Sequence, residues 1–143
     1  MSESRRRFGV AFAVLLSAVM TGAGCNLLND ITSPSSTTPA TNSETFGSSV
    51  GVQGSSRYTF TTTQSGTVSL TLSALSSNVA VGLGIGTPSG TTACTLTSSN
   101  SSALVSTTPQ ITVTEPAGSY CVSVYDVGNL TTVTTFTVLV VHP

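Results

Sequence analysis

The chain has 143 residues, of which 38% are hydrophobic and only 6% charged, with a formal net charge of -1 and no lysine. Serine and threonine together supply 50 residues, there is no tryptophan, and histidine occurs once. That length holds one domain at most, the supply of catalytic groups is thin, and a nucleic-acid face is excluded, because such a face needs clustered bases and three of the four arginines crowd positions 5 to 7.

Those three, Arg5, Arg6 and Arg7, open the first segment. An apolar run from Phe8 to Met20 (FGVAFAVLLSAVM) follows, and then the small-residue exit TGAGC, which is the order of a secretory signal peptide. As a helix such a run rises about 20 Å, short of the ~30 Å hydrocarbon core, so export is expected and not a permanent span. The exit ends on Cys25 behind Gly22, Ala23 and Gly24. It resembles the lipobox of bacterial lipoproteins, with Gly22 where leucine is usual. The resemblance implies a signal peptide over residues 1–24, cleavage before Cys25, lipid on its thiol and a third acyl chain (palmitate) on its new amino group. Acyl chains gain about 0.8 kcal/mol per buried methylene, which would make attachment to the membrane effectively permanent. Asn26 in the next place resembles the sorting pattern for the outer membrane, where an organism has one, and the expected location is the cell envelope.

Residues 25–44 continue as NLLNDITSPSSTTPATNSE after the cysteine. Ser, Thr, Pro and Asn dominate, and too few large apolar side chains are present to offset the entropy of ordering, so a disordered tether is expected. Its reach, roughly 25 Å, is enough to hold a small domain clear of lipid headgroups. The composition fits a bare spacer and an O-glycosylated stalk alike.

Beyond the tether the hydrophobic period becomes two. Tyr58, Phe60 and Thr62 share a face, as do Val68, Leu70 and Leu72, and Val79, Val81, Leu83 and Ile85. The pattern returns at Ile111 and Val113, at Tyr120, Val122 and Val124, and at Phe136, Val138 and Val140, with QSG at 64–66 and PAG at 116–118 as punctuation. Each run predicts a half-buried strand, and no later stretch has helical spacing. Seven or eight short strands in residues 45–143 bury their apolar faces only by packing two sheets together, so the expected fold is an antiparallel, jelly-roll-like β-sandwich. Gly82, Gly84 and Gly86 leave one face of a strand bare. A dinucleotide fingerprint would lead into a helix, whereas GLGIG runs on into Thr87-Pro88. The expected cause is close approach by another backbone or an aromatic ring.

Three stretches carry a further resemblance: SRYTFTTTQSGTVSLTLSAL, VAVGLGIG, and the closing pair AGSYCVSVYDVGNL and TTFTVLVVHP. Together they resemble the bacterial pre-peptidase C-terminal domain over about Phe46 to Pro143. The resemblance implies a non-catalytic sandwich of secreted and surface proteins, closed by a tyrosine strand of the form Y-x-V-x-V. Some members of that family bind calcium or collagen. Calcium does not carry over, since Glu115 and Asp126 are the domain's carboxylates beyond Asp30 and Glu44 of the tether and a hard cation needs several oxygen ligands.

Other chemistry is poorly supplied. Cys94 and Cys121 remain after Cys25 is assigned to lipid, and in an oxidising compartment the pair is expected to form one structural disulfide. A Ser-His-Asp triad would have to use His142 and Asp126, but GTPSG at 86–90 is not the G-x-S-x-G elbow and His142, next to the last residue of the sequence, is expected to fray. Asp126 in YDVGN is expected to make an Asx turn. One histidine and two oxidised cysteines do not make a zinc site. No cofactor, no metal and no enzymatic activity are expected. The expected function is a lipid-anchored, non-catalytic surface module making structural or adhesive contacts with an unidentified surface protein or polysaccharide. The alternative is a carbohydrate-binding module that stacks sugars on Tyr125, the one tyrosine whose parity sets it opposite Tyr120, Val122 and Val124.

Overall fold

The computed structural model describes residues 40–143. The signal segment, Cys25 and most of the tether lie outside the described residues. Eight strands follow one another: β1 (Asn42–Val50), β2 (Ser55–Thr62), β3 (Gly66–Leu75), β4 (Val81–Ser89), β5 (Ala93–Ala103), β6 (Ile111–Glu115), β7 (Gly118–Tyr125) and β8 (Thr134–His142). They form two antiparallel four-stranded sheets, ordered β1-β8-β3-β6 and β2-β7-β4-β5. That order is the double Greek key of a jelly roll, and the fold is the expected antiparallel sandwich with eight strands.

The period-two pattern fills the space between the sheets. Leu70 and Leu72 of β3, Leu83 and Ile85 of β4, and Val138 and Val140 of β8 are wholly buried, and side chains of this kind each contribute about 1.5–3 kcal/mol when removed from water. On β8 Phe136 joins them in the core while Thr135 is exposed and Thr137 half-buried. Tyr120, Val122 and Val124 are buried on β7, but so are the intervening Cys121 and Ser123, so this strand is buried on both faces and not the half-buried strand expected.

Two boundaries differ from those expected, and one strand had no expected place. The tether does not extend to residue 44, because Asn42 to Val50 pair with His142 to Thr134 along the whole of β8. Main-chain pairing of an edge strand needs little from its side chains, and this strand's exposed Ser43, Thr45 and Ser49 show no apolar alternation. β5 is likewise an edge strand, built as ACTLTSSNSSA and mostly exposed. The apolar alternation at Val79 begins too early: β4 starts at Val81, and Val79 stands exposed in the preceding loop.

The connections divide between the two ends of the sandwich. Four of them, β1–β2, β3–β4, β5–β6 and β7–β8, lie at one end, and each arches from a strand to the strand facing it in the other sheet. The remaining three turns lie at the opposite end, where the chain enters β1 at Asn42.

Candidate functional site

Cys94 and Cys121 form the disulfide. Cys121 sits on β7 opposite Gly86 of β4, and Cys94 on β5 opposite Pro88 of the same strand, so the bond crosses over β4. Strands two places apart in a flat sheet stand about 9.5 Å from each other, yet the two Cα atoms are 6.0 Å apart. β5 makes up the difference by folding over β4, with a register shift between Ile85 and Gly86. A Cβ on Gly86 would stand 1.9 Å from the Thr95 carbonyl oxygen, so glycine is what admits the crossing strand. Gly82 admits an aromatic ring, for a Cβ there would stand 2.2 Å from atoms of Tyr125. Both expected causes of the bare face are therefore present on one strand. Tyr125 itself is half-buried, and its ring covers Gly82 as part of the packing.

Asp126, the first residue after β7, ties two arches together. One carboxylate oxygen accepts the amides of Gly128, Asn129 and Leu130 at 2.8, 2.9 and 3.1 Å, and the other accepts the amide of Gln53 at 2.8 Å. Gln53 is held at a φ of 54°, a left-handed conformation that its hydrogen bond to Asp126 helps to offset, whereas Gly128 takes its φ of 92° freely. The Gln53 amide first, then those of Leu130, Gly128 and Asn129, hold the Asp126 carboxyl below its ordinary value. This is the expected Asx turn, extended to a second loop.

A second concentration of titratable side chains lies toward the other end of the fold, where β1 and β2 face each other from different sheets. Tyr58 donates to one oxygen of Glu44, and His142 Nε2 lies 3.0 Å from the other. Phe46 stacks on Tyr58 with ring centres 5.0 Å apart and meets Phe136 edge-on at 5.4 Å, while Phe60 lies 5.0 Å from the His142 ring. The Tyr58 hydroxyl foremost, with the histidine behind it, lowers the Glu44 carboxyl from its ordinary value, and the same bond raises the Tyr58 phenol. Far from fraying, His142 is 2% exposed and ends β8 in its register opposite Asn42. The cluster seals a seam between the sheets.

Topology separates the members of the Ser-His-Asp arrangement weighed from the sequence. Asp126 belongs to the arch end, whereas His142, Ser89 and Glu115 end their strands at the other. The nine residues of β8 alone put about 25 Å between Asp126 and His142. Arg57 reaches across the outer face of its sheet and donates to the carbonyls of Thr91 and Ala93, each at 2.6 Å. A register shift in β3 between Leu72 and Ala74 opens a shallow hollow lined by Ala74, Leu75, Ser76, Thr135, Phe136 and Thr137, with no titratable group in its wall.

Two features had little signal in the sequence. Glu44 was hidden in a stretch that reads as tether, and its partners are 14 and 98 residues away. The second is a set of aliphatic side chains in the arches, at Val52, Val79, Leu104, Val105 and Val133, all exposed. Its trace in the sequence is the placing of Val and Leu inside turn-like stretches such as GVQG and SSNVA. The chain matches no family model and no curated protein.

Proposed function

We propose that this chain is a non-catalytic module of the cell envelope, tethered through lipid on Cys25 and making structural or adhesive contacts with the surface of its sandwich. The observation that carries the reading is the employment of its scarce polar chemistry. Asp126 is taken up by four main-chain amides, Glu44 by Tyr58 and His142, Arg57 by two carbonyls, and Cys94 by Cys121. Each of these groups holds one part of the fold to another. The surface left over is hydroxyl-rich and sparsely charged, with one arginine against four carboxylates after Cys25, a net -3. Such a surface steers charged partners weakly and suits contact made through shape and hydrogen bonding. The resemblance of the three sandwich stretches to the pre-peptidase C-terminal domain supports the same reading, as the lipobox-like exit supports the anchor.

Fractionation of cells producing the full chain tests it. Wild type is expected with the membranes, and Cys25→Ala is expected either in the soluble fraction or as a slower-migrating, unprocessed precursor. A variant that fractionates and migrates as wild type refutes the anchor.

A further inference from the structure

The chain enters the sandwich through β1, an edge strand whose side chains give it little hold. Ser43, Thr45, Gly47, Ser48 and Ser49 are exposed, Glu44 and Phe46 are half-buried, and Val50 is the one buried side chain of the strand. Yet β1 is pinned at both ends. At its start Glu44 receives the Tyr58 hydroxyl from β2 in the facing sheet and lies 3.0 Å from His142 Nε2 on β8. Just past its end the Gln53 amide donates to Asp126 at 2.8 Å, and the Asp126 amide donates to the Gly54 carbonyl at 2.9 Å. The other Asp126 oxygen holds the loop that leads into β8. The described residues include three carboxylates, Glu44, Glu115 and Asp126, and two of them secure this one strand.

Between the two ties Asn42 to Val50 pair with His142 to Thr134 in nine consecutive steps, with no register shift. The direction of a pull decides how that ladder is loaded, because the hydrogen bonds of an antiparallel pair run perpendicular to its strands. β1 begins at the entry end and β8 at the arch end. Tension between the tether and the arch end therefore draws the two strands lengthwise in opposite senses and strains all nine pairs together. Tension between the tether and the last residues of β8 acts on Asn42 and His142, which stand opposite each other, and opens the pairs one after another.

We propose that β1 is a force clamp: the sandwich bears tension passed from the tether to its arch end and gives way to tension between the tether and the end of β8. The inference rests on the proposed anchor for the source of the load, and it adds the direction from which a contact can be held against that load. The two ties divide the work. Glu44 stands at the third pair from the entry and is met early by an opening ladder, whereas Asp126 lies beyond the ninth pair and is reached last. Under a lengthwise pull Asp126 is loaded from the outset, since it holds the loop that β1 would drag behind it. Resistance of this kind is set by the rate of forced opening and not by equilibrium stability, so one fold can be strong in one direction and weak in the other.

Single-molecule stretching of the full chain tests the clamp. With Cys94 and Cys121 joined, the thiol of unlipidated Cys25 fixes the chain to a surface. The second handle is either an azide-bearing residue in place of Val133, which is 67% exposed where the β7–β8 arch meets β8, or a tag behind Pro143. At one pulling speed the first arrangement is expected to break at several times the force of the second. Asp126→Asn is expected to lower the force of the first arrangement alone, and Glu44→Ala to lower that of the second. Equal forces in the two arrangements, or a lower force with the handle at Val133, overturn the clamp. An Asp126→Asn chain as strong as wild type in the first arrangement overturns the part given to Asp126. The measurement contains no lipid, so a difference between the two arrangements establishes the clamp whatever the fractionation of Cys25→Ala shows, and equal forces leave the anchor to be judged by that fractionation.

Discussion

Single side chains in this protein act as ties, and two of them give sharp expectations. Asp126 is ionised while it accepts four amides, and its carboxyl sits below the ordinary value of 3.8. A depressed carboxyl lends stability that is complete above the unfolded value and is lost as pH falls through the folded one. Asp126→Asn removes the second acceptor oxygen, the one that faces Gln53. The gap between the urea midpoints of wild type and this variant is therefore expected to be full at neutral pH and to close as pH drops through 3.8 and below. A gap that ignores pH would contradict the assignment. Gly86 is the second case. In Gly86→Ala the new methyl meets the Thr95 carbonyl, a backbone atom that moves only if β5 moves. Overpacking of this kind costs about 1–3 kcal/mol, and lifting β5 also strains the approach of Cys94 to Cys121. Lower stability together with a rise in free thiols is expected on thiol titration of the exported variant. Gly84→Ala meets chiefly the flexible end of Leu96 at 2.8 Å and is expected to be milder. A fully oxidised Gly86→Ala of wild-type stability would mean that β5 does not cross where it is placed.

The elements are held in register by parity, most clearly at β8, the central strand that pairs with both β1 and β3. A slip by one residue would turn Phe136, Val138 and Val140 out of the core together. Phe136→Ala is expected to cost about 3–5 kcal/mol, a large share of a domain's usual 5–15 kcal/mol, whereas Thr135→Ala, on the exposed face, is expected to stay within about 0.5 kcal/mol. Urea unfolding of both settles the register, and similar losses from the two would refute it. Where a strand has such a buried face, its sequence announces it, as at β3, β7 and β8. β1 and β5 were silent for a physical reason. Both are edge strands with mostly exposed side chains, so their place depends on main-chain pairing that any residue but proline supports. The same limit hid the Glu44 cluster, since a seam between β1 and β2 has no meaning until the sheet order is known. The disulfide and the Asx turn were legible because oxidation state and turn chemistry depend on residue type and compartment more than on distant packing.

At the scale of the whole molecule, a sparsely charged jelly roll has its entry at one end and four arches at the other, and Asp126, Glu44 and Arg57 hold loops and sheets together. The disulfide closes a 28-residue loop from Cys94 to Cys121, worth about 3.6 kcal/mol through the entropy of the unfolded chain, and a bond of this kind fits the export proposed above. Export and anchoring are thus the parts of the account on which the role of the remainder depends. They meet at one atom, the Cys25 sulfur. The most direct measurement is mass spectrometry of the N-terminal peptide of the protein extracted from membranes. The account predicts a chain that begins at Cys25 and carries acyl mass on that residue, while an N-terminus at another position, or an unmodified Cys25, would contradict it.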